Sequence, residues 1–482
     1  MAETVRETIV IKPVKRRVQW PWWVGGGFLV VLAGCGIAAW WTARGYYSDY
    51  DRAVADAKRV GLTLDLKQLN GPPIPDDHNR ALIYTQAAHL IEGPLKPYQD
   101  LLSEFRVGAY SPAELKAMAG AIKGLEPALR LVVREQRPDF RYPRDWSQHP
   151  FAIGLEDVSY KTLAKDLCRR ASLHAEAGDA QGALDSLNCA YQLADDCATA
   201  PFLIETLVSD AISQVSNAEA ESLLGRENGN PAFLAGLDQI LREHSRLPDP
   251  RDTYSGELPL ALFSASYLNV FNDAEFADDD QANGENSDSF MPPKATWIEN
   301  LRNSFPGVQA EVKAKLIEGW VTGWSRFPAD RSDWNGADSA LNLMIDAVSN
   351  DKSVFNRAAQ MTLPGMGNTG ETLLGVEAAN RMLRCSVRLF QLRNATGRLP
   401  STLPTSLGTT AVDPFDGKLL RYRPSGKLFK IYSVGRDRVD DGGIARIPGQ
   451  FSEHVDEVVD FGHPRPEAAR PAAVPGIPGA PG

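Results

Sequence analysis

The sequence predicts a mainly α-helical protein with an N-terminal transmembrane helix, an α-helical body and a small C-terminal α+β module. Three observations predict this class: an uncharged apolar run near the start, a long stretch of amphipathic periodicity, and two alternating segments around a turn near the end. The 482 residues, 43% of them hydrophobic and 23% charged, have the composition of a globular protein. A formal charge of −10 argues against a nucleic-acid partner, since such proteins carry a basic surface.

The apolar run at residues 20–41 predicts a transmembrane helix. No charged residue interrupts it, and tryptophans mark both ends, as they do at membrane interfaces. A helix of this length spans about 33 Å at ~1.5 Å per residue, close to the ~30 Å core of a bilayer. A basic cluster at residues 15–17 precedes the run, so the positive-inside rule predicts residues 1–19 as a cytoplasmic tail. The bulk of the chain then lies outside the bacterial cytoplasmic membrane.

Two processing signals compete with an uncleaved anchor. Residues 32–35 resemble a bacterial lipobox, which would make Cys35 a lipidated N-terminus, but the apolar run continues to Trp41 where a lipoprotein has a polar tether. A type IV prepilin leader would be cleaved after Gly27 and needs a glutamate at the fifth mature position, which here is Leu32. We therefore expect an uncleaved helix, with lipidation at Cys35 as the alternative.

Residues 46–365 predict a helical domain outside the membrane. Ser111 and Glu114 form a capping box that opens one helix, and Asn230 precedes a proline that opens another. The acidic segment 273–288 predicts an exposed loop, because the glutamate that a calcium-binding helix–loop–helix requires is missing. Further helices are predicted at 297–324, 337–348 and 371–394, and a disordered Pro/Ala/Gly tail at 462–482.

One helical hairpin within this body has the spacing of a structural repeat. Gly178 separates two helical runs, at 163–177 and 180–194. Small residues such as Ala183 stand where the two helices would cross, so the pair resembles one tetratricopeptide unit, placed near 160–225. The tyrosine that the family carries on the inner helix is replaced here by His174. One unit cannot bury its apolar face alone, so the resemblance implies neighbouring helices, and the run at 202–224 is a candidate.

Residues 370–445 predict a helix followed by a β-hairpin. The helix end leads to Asp413-Pro414-Phe415-Asp416-Gly417, then to two alternating segments around Gly426, and then to the acidic run 437–443. Over residues 385–443 this order of motifs resembles the C-terminal part of the major pseudopilin of type II secretion. It also resembles the ending of large, mostly uncharacterised bacterial single-pass membrane proteins.

The pseudopilin resemblance implies a calcium site in the last loop. Carried over by position, Asp437, Asp440 and Asp441 are the candidate ligands, with backbone carbonyls completing the oxygen shell of a Ca²⁺ ion. The loop is shorter than in the pseudopilin, and Arg436 and Arg438 interrupt it. The alternative is a solvated turn that contains Asp–Arg pairs.

No linear catalytic motif accompanies these features. The seven histidines lack zinc-binding spacing, and neither a Gly-x-Ser-x-Gly elbow nor a phosphate-binding loop occurs. Cys168 and Cys189 stand either side of Gly178, as a disulfide or as two packed thiols. We expect a membrane-anchored binding or scaffold protein of the envelope, linked to secretion or envelope assembly, with the lipid bilayer and another envelope protein as partners. The alternative is an envelope hydrolase built from scattered residues.

Overall fold

The computed structural model describes residues 22–103, 110–142, 156–244, 247–266, 307–350, 369–444 and 456–461, together with residues 105, 107, 108 and 366. Over these residues the protein is mainly helical, with one small three-stranded sheet. The α-helices are α1 (Trp22–Arg59), α2 (Ala81–Glu92), α3 (Lys96–Leu102), α4 (Pro112–Val133), α5 (Glu156–Glu176), α6 (Ala180–Cys197), α7 (Leu203–Glu227), α8 (Pro231–Glu243), α9 (Pro250–Tyr254), α10 (Glu257–Ser266), α11 (Val308–Trp324), α12 (Trp334–Asn350) and α13 (Thr369–Thr396). The strands are β1 (Arg421–Ser425), β2 (Leu428–Ser433) and β3 (Glu457–Asp460).

Several sequence predictions fall on residues outside the described ranges. These are the cytoplasmic tail 1–19, the acidic loop 273–288, the start of the helix predicted at 297–324, and the tail 462–482. A search of the described residues finds no helix that combines the length and the mean hydropathy needed to cross a bilayer.

Helix α1 runs without a break from the predicted membrane segment into the body. The helix predicted at 20–41 is present from Trp22 and continues to Arg59. Its second half packs along α11, where Ala53 and Ala57 are fully buried in an apolar cluster. Gly307, just before α11, has a left-handed φ and lies against the backbone of Ala43. A side chain at position 307 would therefore have little room. The body is therefore attached directly to the helix.

Helices α5 to α8 form two consecutive helical hairpins. Gly178 adopts a φ of +76° at the first turn, and Asp179 caps α6 by accepting from the Gly182 amide at 2.9 Å. The second hairpin turns at Asn230, whose side chain caps α8 as the Asn-Pro signal predicted. Helix α7 packs against both α5 and α6, so the neighbouring helices that the repeat requires are present. The second hairpin has no clear sequence match to the first.

The sheet packs on the second half of α13. Strand β2 is central, pairing antiparallel with β1 and with β3, and the predicted hairpin turns at Gly426 with a φ of +62°. Strand β3 was not predicted, because it follows the hairpin only after a gap in the sequence pattern. Phe461, directly after β3, packs against Phe390 of α13 and Phe429 of β2. Helix and sheet therefore share one apolar core.

Helix α13 joins two of the three apolar clusters of the protein. Leu373 and Leu374 in its first half belong to the cluster of α1 and α9–α12. Met382 and Phe390 in its second half belong to the cluster that contains α6, α7, α8 and the sheet. A third cluster is built mainly from α2, α4 and α5. One helix thus connects the cluster of α1 and α9–α12 to the helical hairpins of α5–α8 and to the C-terminal module.

A carboxylic acid is buried between the two helical hairpins. Glu219 of α7 is fully buried, and its Oε1 accepts a hydrogen bond from the Ser172 hydroxyl of α5. Its Oε2 has no hydrogen-bond partner. Burial raises the pKa of Glu219 from its ordinary value of 4.5 to about 8, because the charged form would be left unsolvated. The folded protein therefore holds this group protonated at neutral pH.

Replacing this acid with glutamine should remove part of the pH dependence of stability. The pKa of Glu219 is higher in the folded protein than in the unfolded chain. The stabilisation that protonated Glu219 contributes to the free energy of unfolding is therefore fully present below the unfolded-state pKa, and it is lost as the pH rises through about 8. We expect Glu219→Gln to exceed the wild type in free energy of unfolding by roughly 2–4 kcal/mol at pH 8, and by much less at pH 5. Denaturant unfolding of both proteins at both pH values measures this. The same pH slope in both proteins would show that Glu219 is ionised in the folded state.

Candidate functional site

The Asp-Pro turn of the C-terminal module is held by a buried carboxylate. Asp413 is fully buried, and its Oδ1 accepts from the Phe415 amide at 3.0 Å and the Ser433 hydroxyl at 2.8 Å. Its Oδ2 accepts from the Val434 amide at 3.0 Å and from Nη1 of Arg421 at 2.8 Å. These four donors compensate the cost of burying the charge. The carboxylate therefore fixes the turn to the end of β2.

Arg421 extends this arrangement towards the predicted calcium loop. Its Nη2 donates to Oδ2 of Asp416 at 2.5 Å, and its Nε lies 3.8 Å from Oδ2 of Asp440. Asp440 also accepts at Oδ1 from the Tyr432 hydroxyl at 3.1 Å and from the Gly442 amide at 3.0 Å. The carboxylate of Asp440 thus takes part in an Asp–Arg network with Arg421 of β1.

The other predicted calcium ligands make separate contacts. Asp437 accepts at Oδ1 from the Val439 amide at 3.0 Å, which closes a local turn. Oδ2 of Asp441 is buried and has no hydrogen-bond partner. Over the described ranges, no group of three or more His, Cys, Asp or Glu side chains could hold a metal ion. These contacts of Asp437, Asp440 and Asp441 do not test calcium binding, which stays a prediction of the resemblance.

Sequence reasoning missed one acidic residue beside this loop. Asp456, at the start of the β3 segment, is only 2% exposed and accepts at Oδ2 from the Gly443 amide at 2.7 Å. Burial and the negative charges of Asp440 and Asp441 raise the pKa of Asp456. No local pattern marks this residue, because it reaches the loop only through the pairing of β3 with β2.

An open cleft of about 640 Å³ lies where the helical body meets the C-terminal module. It is bordered by the start of α9, the segment before α12, the first half of α13 and the Asp413 turn. Apolar residues that line it include Leu247, Trp334, Leu374, Val412 and Pro414. The charged residues that line it are Asp249, Asp330, Arg331, Asp333, Glu377, Arg381 and Asp413.

Most charged groups of the cleft have a structural partner. Asp333 caps α12 by accepting from the Gly336 amide at 2.8 Å, and Asp330 accepts at Oδ1 from the Ser332 amide at 2.9 Å. Glu377 accepts at Oε1 from Nε of Arg381 at 2.6 Å, while Nη1 of Arg381 donates to a backbone carbonyl of the Asp413 turn at 2.7 Å. Among the described residues that line the cleft there is no histidine or cysteine. The sequence did not predict it, since its walls come from four distant segments.

The far side of the second hairpin is covered by the chain itself. Helix α13 packs along α7 and α8, with the side-chain amide of Asn380 donating to a carbonyl at the end of α8 at 3.4 Å. Nη2 of Arg393 donates to Oδ1 of Asn228 at 2.8 Å, and Asn394 donates to the Asn228 carbonyl at 2.7 Å. These bonds fix the end of α13 to the turn between α7 and α8. An external partner must therefore use another face of the hairpins.

The cysteines do not form a cross-link in the described structure. Cys168 and Cys189 are both free thiols. Burial raises the pKa of Cys189 to about 12 and that of Cys168 well above its usual range, so both stay protonated and unreactive at neutral pH. Of the two alternatives, the structure has packed thiols.

No family model matches the chain, and neither a curated protein nor a solved structure matches it.

Overpacking the first hairpin should destabilise the protein. Ala183 is fully buried where α6 packs into the hairpins, whereas Gln181, two residues earlier in the same helix, is exposed. We expect Ala183→Leu to lower the free energy of unfolding by ~1–3 kcal/mol, because the added methylenes have no space. Gln181→Leu introduces the same side chain at an exposed position and should change stability by about 0.5 kcal/mol or less. Thermal unfolding of both variants measures the difference, and equal effects would show that Ala183 is not a close-packed crossing point.

Proposed function

We propose that this protein is a membrane-anchored extracytoplasmic binding or scaffold protein of the bacterial envelope. The main support for a membrane anchor is the exposure of large apolar side chains in the first half of α1. Large apolar side chains between positions 30 and 41 are 57–73% exposed, namely Val30, Val31, Ile37, Trp40 and Trp41. No residue from 33 to 42 is buried.

The exposed residues surround the helix rather than forming one stripe. At about 100° per residue, Val31 and Trp40 lie on opposite sides of α1. An amphipathic surface helix presents apolar residues on one face, whereas a helix that is apolar all round belongs in a core or in a membrane. The described residues of the body leave positions 33–42 unburied, and a bilayer would remove the apolar side chains there from water.

The rest of α1 would hold the body at a set distance from the bilayer. From residue 42 to Arg59 the helix extends a further roughly 27 Å and packs along α11. The basic cluster at 15–17 favours a cytoplasmic N-terminus and an exterior body. We propose an uncleaved helix, because the apolar run continues beyond Cys35 to Trp41 where a lipoprotein has a polar tether, with lipidation at Cys35 as the alternative.

The helical hairpins are the basis for proposing a partner protein. We interpret α5–α8 as tetratricopeptide-like, because Gly178 turns the first hairpin and α7 packs across both of its helices. Stacked hairpins of this kind present extended surfaces to other polypeptides. The module after α13 keeps the order of pseudopilin motifs, and this resemblance supports a role in secretion or envelope assembly. We propose another envelope protein as the partner.

An envelope hydrolase is the second candidate, and one observation favours it. The cleft holds several carboxylates, and burial raises the pKa of Glu377. Paired carboxylates with different pKa values are a known basis for acid–base hydrolysis. However, Glu377 is tied to Arg381 at 2.6 Å, and Asp333 is a helix cap, so each has a structural task. We therefore favour binding over catalysis.

A charge in the middle of the exposed segment should release the chain from the membrane. Val31 is 62% exposed and lies at the centre of the run 20–41. A lysine at the centre of a transmembrane helix costs ~2.5–3.5 kcal/mol on insertion scales. We expect Val31→Lys to shift most of the expressed protein out of the carbonate-resistant membrane fraction, whereas Val31→Ile should stay in it. Immunoblots of the separated fractions measure both.

Carbonate fractionation of the wild-type protein tests the membrane anchor, and a reporter fused to the C-terminus tests the orientation. Wild-type protein that is extracted by carbonate would contradict the anchor. A reporter at the C-terminus that is active in the cytoplasm would contradict the orientation while leaving the anchor intact.

A further inference from the structure

The cleft between the body and the C-terminal module contains a buried carboxylate oxygen without a hydrogen bond. The side chain of Asp249 is 10% exposed, and its Oδ1 caps α9 by accepting from the Arg251 amide at 2.9 Å. Its Oδ2 is buried and has no hydrogen-bond partner. The nearest cation is Nε of Arg331 at 3.3 Å, but that side chain is 79% exposed and its geometry does not give a hydrogen bond. A buried acceptor of this kind is costly unless a donor reaches it.

The charges around this oxygen leave the cleft acidic. Arg381 is held by Glu377 and by a backbone carbonyl, and Arg421 outside the cleft compensates Asp413. Asp249, Asp330 and Asp333 remain, and among the described lining residues Arg331, whose side chain is 79% exposed, is the other cation. Asp330 and Asp333 each use Oδ1 for a local turn or cap. The cleft therefore favours a positive ligand and disfavours an anion.

The apolar part of the cleft limits the kind of cation. Leu247, Leu374 and Pro414 line it beside the carboxylates. A bare metal ion gains nothing from such side chains, and no group of metal-ligating residues gathers within the described ranges. Lysine, arginine and polyamines carry an aliphatic stem behind a charged head, so they can contact both surfaces at once.

We propose that this cleft binds an alkylammonium or guanidinium cation, whose head reaches Asp249 and displaces Arg331 from it. Two sources share this chemistry: a basic side chain of a partner polypeptide and a free polyamine. The cleft is separate from the exposed half of α1, so binding in the cleft does not depend on whether α1 is a membrane anchor.

The test is titration calorimetry of the full chain in nanodiscs of zwitterionic lipid, with empty nanodiscs as the blank. The probes are trilysine, spermidine and triglutamate, and we expect saturable binding of a cationic probe that weakens with salt. Binding of trilysine without binding of spermidine identifies a partner polypeptide as the source of the cation. Binding of spermidine without binding of trilysine identifies a free polyamine. The absence of binding by both, or binding of triglutamate, would overturn the proposal.

A matched pair of variants locates the binding in the cleft. Asp249→Asn keeps an N-capping side chain but removes the charge, and should weaken binding about tenfold. Asp65 lies outside the cleft and caps in the same way, by accepting from the Lys67 amide at 3.0 Å. Asp65→Asn makes the same change there and should leave the affinity unchanged. Equal affinities of the two variants would overturn the site.

A third variant predicts a change of the opposite sign. Arg331→Gln removes the cation that competes for Asp249, and its exposed position makes misfolding an improbable cause of any effect. We expect Arg331→Gln to strengthen binding several-fold. Weaker binding would mean that Arg331 attracts the ligand, and would contradict a cationic occupant.

Discussion

The structure depends on helix α13, whose two halves contribute buried residues to different apolar clusters. Its first half packs against α12 and belongs to the cluster of α1 and α9–α12, while its second half packs with α7, α8 and the sheet. A helix of 28 residues is about 42 Å long, which lets one helix belong to two clusters. Because both halves exclude water, neither cluster can be completed without the other.

This constraint sets the positions of the other features. The Asp413 turn is fixed to the sheet by Arg421 and Val434, and it is held to α13 by Arg381, whose Nη1 donates to the Val412 carbonyl at 2.7 Å. The acidic cleft is the space left between this turn, α13 and the starts of α9 and α12. The proposed binding site is thus a consequence of how the module docks on the body.

Features encoded by neighbouring residues were predictable from the sequence. The capping box at Ser111, the Asn230 cap, the turn at Gly178 and the hairpin at Gly426 are all present. Each depends on side-chain-to-backbone bonds or backbone conformations that act within a few residues. Strand β3, Asp456 and the cleft were not predictable, because long-range packing brings them together.

The central claim is that α13 couples the hairpins and the module into one cooperative unit, and native-state hydrogen exchange tests it most directly. Leu383 is 1% exposed in the cluster shared by α7, α8 and the sheet, and its replacement by alanine should cost ~2–5 kcal/mol. We expect Leu383→Ala to lower amide protection by the same factor in α7, α8, β1 and β2. Loss of protection in β1 and β2 alone, with α7 and α8 unchanged, would show that the module is a separate unit and would contradict the account.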